Sequence, residues 1–478
     1  MSDDDLVDLP ATEQRDLLAR REVSARELTE AHLARVELVD RVVNAVVTRC
    51  PEMAQERADA LDEHLARTGQ PVGPLHGLPV VHKDLADTAG VRTTYGSPIF
   101  ADHVPRVDAL VVARMKADGT VMLGKSNTPE FGAGSHTFNP VFGLTRNPWD
   151  PTRSCGGSSG GAAVAVACGM AALADGSDLG GSLRNPPAFC GVVGLRPSIG
   201  RVPETGPMAT RVRLPVAGPI ARTVADTALL LASLAGPHCH APGGLPEPGS
   251  TFAPPLEPVT ERLRVAMSPD LGDLPVHRDI RAVFARLTPV LEQLGWSVED
   301  DCPPLDGADR AFEVIRSWYS ASRAQAFTNA QRAMIKPVLA AEHDAGRART
   351  ATELAVAFTT ETRLVNAAVA FFERYDLFVC PATQVPAFPV EQEYVTDIEG
   401  QPMASYIEWM RVCSRLTMLG LPALSLPIGF TIEGLPVGVQ LVARHGADRF
   451  VLRAGAMLEA ALGLPRRPPI EALAVRTS

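Results

Sequence analysis

Two short stretches hold serines in settings that favour chemistry. "GGSSGG" covers residues 156–161 and "LGGSLR" covers residues 179–184, so Ser158 and Ser182 fall twenty-four positions apart. A serine hydroxyl is a poor nucleophile until a base takes its proton, so each stretch is half of a catalytic arrangement. Leu179, Gly180, Gly181 and Ser182 offer consecutive backbone amides beside a serine, as an oxyanion hole requires. Gly156–Gly161 also brings N–H groups to the start of a helix, a setting for negative charge and polar ligands. Neither stretch matches GxxxxGK[ST], and no lysine follows "GGSSGG", which excludes a P-loop.

The missing half is a base. Of eleven histidines, those toward the N-terminus (His32, His76, His82, His103, His136) lie on expected helices or in loops without a second polar signal, and read as core or surface residues. The chain has four lysines beside forty-one arginines. Lys116, on the polar face of a helix, and Lys336, before a proline, read as solvent positions. Lys83 follows the apolar "LPVV" at an expected strand end, with Lys125 in "GKSN" as its rival. Desolvation there pushes an amine below its usual value of about 10.4, leaving a neutral base. The plainer alternative for Lys83 is a pairing with Asp84.

These residues need elements to position them. "VSAREL" sets Ser24 three before Glu27 as a capping box, and apolar residues at helical spacing predict a helix within residues 13–47. "VDALVVARMKADGTVMLGKSN" reads as helix, Gly119 stop, then a strand from Val121. "GGAAVAVACGM" predicts a small-residue helix that starts in the glycines. Thr223 and Asp226 predict a second capping box, and residues 276–296 a further helix. Alternating helices and strands are the pattern of an α/β sheet. Residues 237–258 are rich in Pro and Gly and read as a loop between two halves, with the α/β pattern resuming beyond it.

Composition narrows the class. At 478 residues and 46% hydrophobic, with 21% charged, the chain is that of a globular protein with a large core. A net charge of −10, with no basic run interleaved with aromatics, argues against nucleic acid as a partner. No apolar stretch of about 18 residues occurs and the start "MSDDDLVDLP" has no apolar h-region, so a soluble, cytoplasmic protein without membrane partners is expected. Eight scattered cysteines without CxxC pairs predict reduced thiols, no zinc knuckle and no metal. Cys239, between His238 and His240, is the nearest approach to a metal cluster and reads as surface loop.

The blocks "GLPVVHKD", "GKSNTPEFG", "TRNPWDPTRSCGGSSGG", "GSDLGGSLRNPPAFCGVVGLRPSIGRVP" and "LGLPALSLPIGF...GLPVGVQLVAR" together resemble the amidase signature family, in the family's order and over about residues 10 to 465. The resemblance implies one large, mixed, twisted β-sheet surrounded by helices as a single domain over residues 1–478, residues 1–70 being a helical region packed on it. It also implies a Ser-Ser-Lys triad without cofactor: Ser182 as the acylated nucleophile, Ser158, after a cis peptide, as relay, and Lys83 as base. Ser159 is expected to join the lysine network, and Asp178 and Arg184 to pair and shape the nucleophile's loop. Phe131 and Gly132 in "NTPEFG", Trp318 and Tyr319, and "PATQVPAF" fall where the family builds its acyl pocket.

The activity so implied is hydrolysis of the C–N bond of small amides, with anilides, esters and carbamates (urethanes) open as substrates and a homodimer open as the assembly. Two rivals stand beside it. One is the A-type subunit of a glutamine-dependent aminoacyl-tRNA amidotransferase. The other is an α/β-hydrolase in which "GGSSG" serves as G-x-S-x-G, with Ser158 as nucleophile and His445 as base.

Overall fold

A computed structural model describes residues 3–475 apart from residues 207, 209, 210 and 466. Eleven strands form one mixed sheet: β1 (Val46–Arg49), β2 (Pro79–Lys83), β3 (Val121–Ser126), β4 (Leu173–Asp178), β5 (Val193–Arg196), β6 (Val216–Ala221), β7 (Arg264–Met267), β8 (Ser297–Asp300), β9 (Leu377–Pro381), β10 (Ala423–Phe430) and β11 (Pro436–Val442). Their order across the sheet is β1-β3-β2-β4-β6-β5-β10-β11-β9-β7-β8. Pairing of β5 with β10 joins strands from before and after the 237–258 loop into this one sheet. Every residue of β2 and β3 is buried, as expected of strands covered on both faces.

The helices follow their sequence signals with three instructive departures. The capping box of Ser24 and Glu27 opens a helix over Ala25–Val43 as expected. The helical reading of residues 13–47 is too long, however: a separate helix covers Ala11–Ala19, and Asn44 turns left-handed (φ 52°) to feed the edge strand β1. Thr223 accepts from the Asp226 amide at 3.0 Å, but the Asp226 carboxylate takes the Thr12 amide instead of returning to the cap, because a partner distant in sequence competes for it. Residues 278–293 form two helices, Arg278–Phe284 and Leu287–Gln293. Pro289 explains the break, since its ring clashes with the carbonyl four residues back, at Ala285.

Four further helices bear on the site: α1 (Gly160–Ala167), α2 (Asn185–Cys190), α3 (Ala308–Arg323) and α4 (Ala351–Arg374). All eight residues of α1 are buried. Its small side chains let the helix lie close against β2, β3 and β4.

Candidate active site

Strands β2 and β4 are parallel neighbours, so their C-terminal ends open on the same edge of the sheet. Lys83 is the last residue of β2, and Ser182 lies in the turn just past Asp178, the last of β4. Ser159 is the N-cap of α1, which packs on both strands. Ser158 precedes it and is itself joined to Gly157 by a cis peptide. Three residues distant in sequence are thereby brought to one point at the carboxyl edge of the parallel strands, where α/β sheets place ligands.

Their polar atoms form a continuous line. Lys83 Nζ stands 2.8 Å from Ser158 Oγ, and Ser158 Oγ stands 3.0 Å from Ser182 Oγ. Hydroxyl hydrogens rotate, so each serine can donate or accept along this line. Exposure rises along the line, from 1% at Lys83 through 3% at Ser158 to 8% at Ser182, so the end that must meet substrate is the open one. Ser159 Oγ at 2.8 Å and Ser177 Oγ at 3.1 Å also accept from the Lys83 amine. Burial drives the Lys83 pKa down to about 7, against the partial support of Asp175 and Asp178.

The other lysines are held elsewhere. Burial also lowers Lys125, to about 8, but its amine is spent on Ala86 O and on Thr88 Oγ1, the latter at 2.8 Å, so geometry and not basicity eliminates it. Asp84 is engaged by Thr94, whose hydroxyl donates at 2.6 Å, and forms no pair with Lys83. Lys116 is half-buried and binds Asp108 at 2.8 Å. Lys336 corrects its reading as a solvent residue. Its amide donates to Glu130 Oε2 at 2.9 Å, its amine donates to Ala133 O and faces the Phe138 ring, and so it braces the 130–134 loop.

Asp178 organises the turn that carries Ser182. Its carboxylate accepts from Arg184 Nε and Nη2 and from Arg196 Nη1, each at 3.0 Å, and from the Gly181 and Leu183 amides at 2.9 and 3.0 Å. Burial alone would raise its pKa; the two guanidinium groups and the amides overcome this and hold it well below the carboxylate range. The expected pairing of Asp178 with Arg184 is therefore present, and Arg196 is a partner the sequence reading missed. The same bonds correct the reading of the oxyanion donors. The Gly181 amide is occupied by Asp178, while those of Leu179, Gly180 and Ser182 make no hydrogen bond among the described residues. Gly181 takes a φ of +147°, which only glycine adopts readily.

The glycines of "GGSSGG" serve close packing. A Cβ built on Gly161 would lie 2.3 Å from the Asn127 amide nitrogen, so a side chain there would part α1 from the end of β3.

A cavity of about 240 Å³ opens beside Ser182, with Leu179 and Gly180 in its wall. Of the residues named from sequence, Phe131, Gly132 and Tyr319 line it. Trp318 does not: its ring meets Phe358 of α4 edge-on at 6.3 Å. The cavity face of α3 carries Phe312, Arg316, Tyr319, Ser320 and Arg323, positions spaced by successive helical turns, and Trp318 lies off that stripe. The "PATQVPAF" segment is also corrected, since Val385, Ala387 and Phe388 are buried in a separate apolar cluster with Phe189 and Trp409.

Sequence reasoning missed the rest of the wall. Tyr95, Phe100 and Phe327 join Phe131 in a ring cluster with centroids 5.1 to 6.5 Å apart. Tyr406, Glu342 and Arg316 form a polar side, with the Arg316 guanidinium 2.5 Å from Glu342. Ser177 was legible as a polar residue one before Asp178, but nothing local points it at Lys83.

The α/β-hydrolase reading fails here. Ser158 follows a loop and not a strand, whereas a nucleophile elbow turns from strand to helix. His445 bonds Ile199 O at 3.0 Å and lines a separate groove. Cys239 lies exposed, and no group of three or more His, Cys, Asp or Glu able to hold a metal occurs among the described residues.

Comparison with known proteins agrees with this geometry. The Amidase family model matches residues 27–452, and the chain belongs to that family. The A-type subunit of a glutamyl-tRNA(Gln) amidotransferase from Moorella thermoacetica is 38% identical, covering 96% of this chain and 98% of its own. An acylamidase of Rhodococcus erythropolis is 34% identical over 99% of this chain and all of its own. Among solved structures, a bacterial aryl acylamidase of the amidase signature family superposes with a TM-score of 0.89 at 28% identity, covering 98% of each chain. The chain is a hydrolase of carbon–nitrogen bonds other than peptide bonds. No helix among the described residues is long and apolar enough to cross a membrane.

Proposed function

We propose that the chain cleaves small amides through an acyl-enzyme on Ser182, with Ser158 and Lys83 as a two-step proton relay. The observation that carries this reading is the line Lys83 Nζ, Ser158 Oγ, Ser182 Oγ, spaced 2.8 and 3.0 Å and ending at the cavity. Neutral Lys83 takes the Ser158 proton as Ser158 takes that of Ser182, and Ser182 Oγ bonds to the carbonyl carbon. The carbonyl electron pair moves to oxygen, facing the amides of Leu179, Gly180 and Ser182. Collapse breaks the C–N bond as the proton returns from Lys83 through Ser158 to the departing nitrogen. Amines leave poorly unless protonated, so a relay that both accepts and returns a proton suits amides. Water then attacks the ester carbonyl, its proton entering the relay; the C–Oγ bond breaks, the carboxylic acid leaves and the proton returns to Ser182 Oγ.

The ring cluster of Tyr95, Phe100, Phe131 and Phe327 supports planar or aryl groups on the substrate, and anilides in particular. Esters and carbamates present the same carbonyl geometry to Ser182 and belong to the same proposal. Eight free thiols support a reducing, cytoplasmic compartment.

The test is acyl trapping with an activated aryl ester, read by intact-protein mass spectrometry. Wild type gains one acyl group, and Ser182→Ala gains none while keeping its fold. Label retained by the Ser182→Ala protein overturns the assignment. The 38% identity to the Moorella protein favours a second reading, transfer of glutamine nitrogen within a complex. Turnover of simple amides by the purified chain alone supports the hydrolase, and strict dependence on added partner chains supports the transfer reading.

A further inference from the structure

Behind the relay, on the core side of β2, lies a second buried pair that the mechanism leaves unused. His82 Nδ1 and Asp175 Oδ1 are 2.6 Å apart, with exposures of 0% and 2%. The other Asp175 oxygen accepts from the Lys83 backbone amide at 3.4 Å. Strand register explains the meeting, because β2 and β4 run parallel with Val81 beside Ala174, which sets His82 beside Asp175. His82 Nε2 is buried and has no partner among the described residues. With its N–H on Nδ1, the imidazole donates to the carboxylate and fixes its orientation.

The surrounding charges give that carboxylate a task. Toward Lys83, β4 presents Asp175 and Asp178. Asp178 is already bound by two guanidiniums, Arg184 and Arg196, so that group is net positive. On β3, Lys125 adds another cation, itself supported by Asp84, Asp87 and Asp175. Across β4, β6 sets the uncharged Pro219 opposite Asp175. A proton arriving on Lys83 therefore enters a buried, cation-rich region, and of the two carboxylates that act on it Asp175 is the one without a guanidinium partner among the described residues.

We propose that Asp175, oriented by His82, is the positioning residue and counter-charge of Lys83: it holds the end of β2 in place and supplies the negative charge against which Lys83 takes up the relay proton. This rests on the reading of Lys83 as base. Without Asp175 the amine would be a weaker base, neutral at lower pH but less able to draw the Ser158 proton.

The experiment is the pH profile of kcat/KM on an uncharged amide for wild type, Asp175→Asn and the double variant His82→Leu/Asp175→Leu. Asp175→Asn removes the charge and keeps one acceptor oxygen, which can take the Lys83 amide while its NH2 donates to His82 Nδ1 in the other imidazole tautomer. The double variant replaces the buried pair by apolar groups, a change proteins often accept without loss of stability, and so covers the case in which the single variant does not fold. The acid limb is expected to move about one unit to lower pH in either variant, with a plateau reduced about tenfold. A limb that stays at the wild-type position, even with lower activity, overturns the proposal and leaves the pair a packing role. A wild-type profile with no acid limb removes the Lys83 reading itself and this one with it.

Discussion

The most direct probe of the relay is its dependence on pH. Lys83 must be neutral to take a proton, and burial holds its pKa at about 7. Half the molecules are then ready at pH 7, whereas an ordinary lysine at about 10.4 would leave only about one in 2,500 neutral. As pH falls through 7 the amine protonates, so activity is lost on the acid side and retained on the alkaline side. From pH 7 to pH 5 the neutral fraction drops from about a half to about a hundredth, and kcat/KM is expected to fall about 50-fold, approaching a tenfold loss per unit. Above about pH 8 the profile should flatten. The assay is initial-rate hydrolysis of an amide with no titratable group, under subsaturating conditions. Lys83→Arg supplies the matching perturbation, since a guanidinium stays charged and cannot serve as base; a loss of about 10³-fold or more is expected. A profile flat from pH 5 to 8, or a limb centred above pH 9, would refute a buried neutral amine as base.

Two further outcomes follow from the packing. Asp178→Asn leaves Arg184 and Arg196 buried around a neutral amide, and should cost about 3 to 5 kcal/mol in urea unfolding as well as activity. Phe131→Ala should raise KM for aryl amides about tenfold while leaving small aliphatic amides within about twofold, whereas Trp318→Ala should lower stability without changing KM for either. Equal effects of both substitutions on KM would show that the cavity wall is misassigned.

Much of the molecule was legible in its residues because the signals were local. Ser24 and Glu27 sit one helical turn apart and cap a helix wherever it packs. The apolar run before Lys83 is a strand because its residues favour a pleated, buried surface. The family resemblance added the roles of Lys83, Ser158 and Ser182, and their atoms do lie in line. Where local signals misled, a distant partner or a steric break had intervened. Thr12 takes the Asp226 carboxylate from its cap, Pro289 splits a helix whose apolar spacing continues through it, and Lys336 turns inward to brace a loop two hundred residues earlier.

Read alone, the chain of residues determines that two serines stand in glycine turns, that a lysine ends a buried strand, and that no basic surface or apolar span competes with a small-molecule site. Those properties depend on residue type and on neighbours within a few positions. Folding alone decides that Ser177 holds the Lys83 amine, that Asp178 occupies the Gly181 amide, that Trp318 faces away from the cavity while Tyr319 faces it, and that His82 meets Asp175 behind Lys83. Each of these depends on strand register or helix rotation, where a shift of one residue moves a side chain to the opposite face of a strand or through about 100° around a helix.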